Sequence, residues 1–151
     1  MRTGDLMQND WVQLTGTPIY CRVCTITEDG FVLGKTVGGG AFRKKASDLS
    51  PIELTQDVLL STPFWLFRKG VFKKSVRDIV TMTYIVQRRR LEVLNVGSGH
   101  CNVHEIAFLN ELQQLYRHYT NQELEIDLLH SKRKEYSKKY RKKGNVLRPD
   151  E

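Results

Sequence analysis

Apolar positions alternate in short runs along the first third of the chain. Trp11 and Val12 open one run, and after Gly16-Thr17-Pro18 a second places Ile19, Cys21, Val23 and Thr25 at every other residue. A period of two marks a half-buried strand, and the Gly/Pro turn joins two of them. Glu28-Asp29-Gly30 supplies the next turn, because Asp-Gly tolerates the positive φ of a tight hairpin. Phe31–Thr36 reads as a third strand and Ala41–Ala46 as a fourth, while Val37-Gly38-Gly39-Gly40 between them is too flexible for a strand interior. This spacing of short strands predicts a small SH3-like β-barrel over residues 1–49.

Ser50 to Thr55 reads as a connector. Thr55 then has the character of a helix N-cap, with Gln56 and Asp57 in the first turn, Val58, Leu59 and Leu60 behind, and Pro63 as the stop. Phe64-Trp65-Leu66-Phe67 is an aromatic cluster expected to pack one subdomain on the other. The β-branched run Val80–Val86 and the run Leu91–Val96 predict a hairpin, turned at Gln87-Arg88-Arg89-Arg90 and ended by Gly97-Ser98-Gly99. From Val103 to Tyr119 the period changes. Phe108, Leu112, Leu115, Tyr116 and Tyr119 form the apolar stripe of an amphipathic helix, and Asn121 suits its left-handed cap. Leu124, Ile126 and Leu128 alternate with acidic residues and predict a short closing strand. The expectation is an α+β chain: an SH3-like β-barrel over residues 1–49, a short helix, a hairpin and an amphipathic helix over residues 50–130, and a basic tail over residues 131–151.

Charge changes the picture only through its location. The chain of 151 residues carries +7, but residues 1–130 hold 15 Lys+Arg against 14 Asp+Glu. The remaining +6 belongs to residues 131–151. The basic character is therefore that of a tail rather than of the body. No run of 18 apolar residues exists, so no membrane helix is expected, and the polar stretch Met1–Asp10 lacks the pattern of a signal peptide. These features predict a cytoplasmic protein, and its three cysteines fit a reducing compartment better than a disulfide framework.

Three motifs invite chemistry. Gly30-Phe31-Val32-Leu33-Gly34-Lys35-Thr36 resembles a phosphate-binding loop, but that loop needs four residues between its glycines, and here there are three, in a strand pattern. Cys21-Arg22-Val23-Cys24 has C-x-x-C spacing, with His100, Cys101 and His104 as the residues that would complete a tetrahedral metal set. In an extended strand positions i and i+3 face opposite sides, so neither metal nor cofactor is expected. No nucleophile elbow or H-E-x-x-H occurs: position 108, where the second histidine would stand after His104-Glu105, is Phe. Glu111, Glu123 and Glu125 read as solvated faces. No catalytic residue is assigned, and an enzyme is not expected.

The tail is the remaining signal. Within residues 131–143, Lys132, Arg133, Lys134, Lys138, Lys139, Arg141, Lys142 and Lys143 stand against Glu135 alone, with Tyr136 and Tyr140 interleaved. Basic residues neutralise phosphates and release counterions, and tyrosines stack on unpaired bases. These ten residues are the candidate contacts for nucleic acid or another polyanion, with Arg88, Arg89 and Arg90 as a second basic spot. A charge run also serves as a solvated tail that holds nothing, and an acidic protein is a third reading. All three stay open at this level.

Several stretches together resemble an uncharacterised family of small proteins from Bacteroides-type gut bacteria, their phages and mobile elements. Gly4-Asp5-Leu6 through Asn9-Asp10-Trp11-Val12 and Gly16-Thr17-Pro18 are similar to the family's opening "G-N-W/Y-V … G-x-P-x-x-V". Pro51–Leu59 is similar to its middle "P-I-x-L-T-x-E-I-L". Leu109–Tyr116 with Thr120–Leu124 resembles its closing "H-E-L-Q-N-L-Y … T-G-E-E-L", the most specific of the three. The likeness covers roughly residues 4–126. Asp10 stands where Asn is usual, Asn110 where His is usual, and Asn121 replaces the cap glycine. The resemblance implies a phage or mobile-element context, an SH3-like start and a small accessory or binding protein. The function expected is non-enzymatic binding, with the tail on nucleic acid or another polyanion. The alternative is a virion-associated structural component whose tail meets a protein partner.

Overall fold

A computed structural model describes residues 1–128. These residues are mostly β: two antiparallel five-stranded sheets and two α-helices. The chain divides into two units. One comprises Met1–Glu53 with Phe108–Leu115, and the other Leu54–Ala107 with the described residues from Tyr116 onward.

In the first unit, β1 (Trp11–Leu14), β2 (Tyr20–Ile26), β3 (Phe31–Thr36) and β4 (Ala41–Lys45) form a meander at the places the alternation predicts. A single 3-10 turn, Ala46–Asp48, leads into β5 (Leu49–Pro51). The sheet order is β4-β3-β2-β1-β5, with β4 and β5 at its two edges, so the strands do not close into a barrel. The expected connector at 50–55 begins as a strand, pairing Val12 with Pro51, Gln13 with Ser50 and Leu14 with Leu49. Its proline hid it, yet β5 is an edge strand, where a missing N–H costs the ladder nothing. Leu6, Val12, Cys21, Val23, Val32, Ala46 and Leu49 form the core of this unit, with Phe42 and Ile26 against it.

Two local devices shape this sheet. The β2–β3 register slips between Val23 and Thr25, leaving Cys24 as a bulge residue. Gly34, opposite Val23, lets the strands and Phe42 close up: a Cβ there would stand 2.1 Å from the Arg22 carbonyl oxygen and 2.6 Å from Phe42 Cε1.

A buried polar cluster ties the start of α2 (Leu109–Thr120) to the segment before β1. Gln113, 1% exposed, accepts from the Trp11 N–H at 2.8 Å and donates to the Asn9 carbonyl at 2.8 Å. The fully buried Asp10 carboxylate accepts from the Met7 N–H and from Gln114 Nε2, both at 2.8 Å. Gln114 and Asn110 also donate to the Asp5 carbonyl, at 3.0 and 3.5 Å. Glu111 is spent at the helix start, where its Oε1 accepts from the Phe108 N–H at 3.1 Å as in a capping box.

In the second unit, Thr55 caps α1 (Gln56–Leu59) as predicted, its hydroxyl accepting from the Val58 N–H. The aromatic cluster becomes edge strand β6 (Trp65–Arg68), followed by β7 (Val71–Val76) after a turn at Gly70, φ +76°. The predicted hairpin is β8 (Val80–Ile85) and β9 (Arg90–Asn95), at the middle of a sheet ordered β10-β9-β8-β7-β6. Two expectations fail here. Residues 103–105 are not helical: Cys101–Glu105 is strand β10, paired Cys101↔Leu94 through Glu105↔Arg90, so the start of the expected helical stretch is taken by pairing to β9. The helix starts only at Leu109, and Asn121 ends it in the left-handed region, φ +56°. Residues 123–128 form no strand. Leu124 and Leu128 are buried, but the Asp127 N–H donates to the Ser61 carbonyl, which belongs to no strand. The alternation there records burial without a ladder.

Candidate nucleic-acid interface

The residues expected to carry function, Lys132, Arg133, Lys134, Tyr136, Lys138, Lys139, Tyr140, Arg141, Lys142 and Lys143, lie outside the described residues. Within the described residues, the sheet of the first unit presents a basic face that charge counting along the chain does not single out.

Its geometry follows from register. Cys21 and Val23 of β2 and Val32 of β3 point into the core, so Arg22, Phe31, Leu33 and Lys35 project from the opposite face. Arg22 pairs directly with Lys35, and Trp11 of β1 pairs with Arg22 from the other side. Arg43 stands opposite Leu33 and Lys45 opposite Phe31, which brings both to the same face. Arg22, Lys35, Arg43 and Lys45 are all exposed, and Trp11 and Phe31 are half-buried among them. The face thus gathers four cations and two aromatic rings on strands β1 to β4.

Arg43 is the most organised of these. Its Cζ lies 3.7 Å from the centroid of the Phe31 ring, a cation–π contact. Asp29, in the β2–β3 turn, approaches Arg43 at 4.0 Å, but both side chains are more than half exposed. An ion pair so solvated is worth at most about 1 kcal/mol and leaves the guanidinium available. Asp29 also accepts from the Thr27 hydroxyl. Directly paired side chains sit about 5 Å apart and same-face residues along one strand about 7 Å, so the four cations form a continuous patch. Period two in the sequence puts Arg43 and Lys45 on one face, as it does Phe31, Leu33 and Lys35, but only the register joins the rows.

The other candidates separate. Gly30–Thr36 is the β2–β3 turn running into strand β3, with Gly34 placed for packing rather than for a phosphate. Cys21 is buried and its thiol pKa is raised by that burial, while Cys24 is half-buried on the bulge. His100, Cys101 and His104 belong to the second unit, with Cys101 and His104 on β10. Among the described residues no group of three or more His, Cys, Asp or Glu is placed to hold a metal ion. His104 Nε2 is instead 2.7 Å from the Tyr119 hydroxyl. Arg88 and Arg89 lie in the β8–β9 turn, with Arg89 in the left-handed region, whereas Arg90 is already the first residue of β9 and pairs with Glu92 at 3.2 Å. Glu123 pairs with Arg117 at 2.8 Å, and Glu125 is exposed. Among the described residues no helix is long and apolar enough to cross a membrane.

Comparison of the chain with protein-family models, curated proteins and solved structures found no match.

Proposed function

We propose that this chain is a non-enzymatic accessory protein that binds nucleic acid through the basic face of its first sheet together with its basic C-terminal tail. The observation that carries the reading is the gathering of Arg22, Lys35, Arg43 and Lys45, with Phe31 and Trp11, on one exposed sheet face. Cations of this density neutralise phosphates and release counterions. Most acidic proteins offer no such regular array of charge.

The fold reading that goes with it is an SH3-like first unit. The support for it is a meander of four strands, with one 3-10 turn before a fifth strand that returns to β1, although the sheet stays open. A bulge in β2 supplies the bend such a sheet needs. The resemblance to the phage and mobile-element family fits this picture. Two of its segments, Asn9–Trp11 and Leu109–Tyr116, are the ones joined by the buried Gln113 cluster. Residues spent that way hold a scaffold together and leave binding to the surface.

The test is nucleic-acid affinity of the full chain at two or more salt concentrations. One variant replaces the four face cations with Gln and another replaces the eight tail cations with Gln. Wild type should bind at low salt and weaken steeply as salt rises. The face variant should bind more weakly with a salt slope lower by up to about 3, since each phosphate contact on a single strand contributes about 0.7. Absence of binding at low salt would refute the function. Unchanged affinity of the face variant would remove the sheet from it.

A further inference from the structure

Resting on that reading, we infer that the sheet face takes single-stranded nucleic acid, with an unpaired base stacked on the Arg43 guanidinium. Arg43 lies over Phe31 at 3.7 Å, so one plane of the guanidinium is covered by a ring. Its side chain is nevertheless 57% exposed, which leaves the guanidinium accessible to a ligand. A guanidinium already anchored against an aromatic ring is partly oriented before the ligand arrives, and a nucleobase laid on its open side completes a ring, cation and base stack.

Only an unpaired strand can offer that base. In a duplex the π-faces are stacked on one another, and a protein reads base edges by sending a helix or a two-stranded ribbon into a groove. Here the cations lie on a broad face spanning β2, β3 and β4, with Arg22 and Lys35 side by side in one row and Arg43 and Lys45 on the edge strand. Nothing on this face projects as a groove-reading element. Its rows instead suit a phosphate chain running across the strands, with Arg22, Lys35 and Lys45 on phosphates and Arg43 on a base.

The experiment measures binding of the full chain to a labelled oligo-dT and to a mixed-sequence duplex of equal length, at low salt. The variants are Arg43→Lys, which keeps the charge but loses the planar stack, and R22Q/K35Q/K45Q, which removes charge and keeps the stack. Wild type should bind the single strand at least tenfold more tightly than the duplex. Arg43→Lys should lose about tenfold on the single strand, with its salt slope unchanged and duplex binding unmoved. The triple variant should weaken both ligands and lower the salt slope. Equal binding of strand and duplex, or an unaltered single-strand affinity in Arg43→Lys, overturns the inference. In that case a weakened triple variant leaves the broader function standing. Failure of wild type to bind either ligand overturns both.

Discussion

The side chain of Gln113 grips the backbone on both sides of Asp10: its oxygen accepts from the N–H of Trp11 and its nitrogen donates to the carbonyl of Asn9, each at 2.8 Å. The contact joins residues 102 apart in sequence, and Gln113 is 1% exposed. Substituting Gln113→Leu removes both bonds from a site that water does not reach. A buried donor or acceptor stripped of its partner costs about 1–3 kcal/mol. The expected loss is about 2–4 kcal/mol in urea unfolding, with the m-value unchanged. Gln113→Glu keeps the acceptor toward Trp11 but cannot donate to Asn9 when ionised. Its stability should fall as pH rises through the carboxyl titration, which a urea series at several pH values would detect. A Gln113→Leu chain as stable as wild type would show that the cluster does not hold the helix start.

Gly34 gives the second prediction. An alanine Cβ would stand 2.1 Å from the Arg22 carbonyl oxygen, a backbone atom of the neighbouring strand, and 2.6 Å from the Phe42 ring. The ring can turn aside, but the carbonyl moves only if β2 and β3 separate. Gly34→Ala should cost about 3 kcal/mol or more, at the upper end of overpacking effects. Adding Phe42→Ala should relieve only some of the strain, because the backbone clash remains. Recovery to the level of Phe42→Ala alone would mean that the ring was the whole obstacle.

These two residues mark what the sequence disclosed and what it concealed. Strands β1 to β4 were legible because their burial is one-sided and their turns are Gly-rich. The Thr55 cap and the Asn121 stop were legible because capping is local chemistry. Strand β5 was hidden by Pro51, since its edge position is known only once the sheet is assembled. Strand β10 was hidden because it is short and polar, and only β9, once present, gives it a partner. Gln113 is polar and fully buried, so a hydrophobic pattern gives no account of it. The basic face was missed for a related reason: Arg22, Lys35, Arg43 and Lys45 come from three strands and meet only through register.

Alkaline pH should weaken the fold. Burial raises the Cys21 thiol above its ordinary value, and burial together with the charge of Glu125 raises the Tyr116 phenol. In the unfolded chain a thiol loses its proton at about pH 8.5 and a phenol at about pH 10. The folded state keeps these protons longer, so above those values the unfolded state binds fewer protons than the folded one. This contribution is then complete below about pH 8 and is lost as pH rises past the ordinary thiol and phenol values and through the raised folded ones. Cys21→Ala and Tyr116→Phe, compared with wild type across that range, should each flatten the decline. A profile identical in all three chains would assign it to other groups.

Thiol reactivity should separate the three cysteines and test the metal reading at the same time. Cys101 is exposed on strand β10, Cys24 is half-buried on the bulge of β2, and Cys21 is buried with a raised pKa. The thiolate is the reactive form, so both burial and a raised pKa slow Cys21. With a coloured aromatic disulfide reagent, Cys101 should react first and Cys24 more slowly. Cys21 should react only as fast as the first unit opens, and Gly34→Ala should accelerate it more than the others. A zinc ion held by Cys21, Cys24, Cys101, His100 and His104 would instead protect the cysteines together until a chelator released them. Rates unaffected by chelator, with Cys101 well ahead of Cys21, are the expected outcome. Collective protection together with stoichiometric zinc in the purified protein would replace this account with a metal centre.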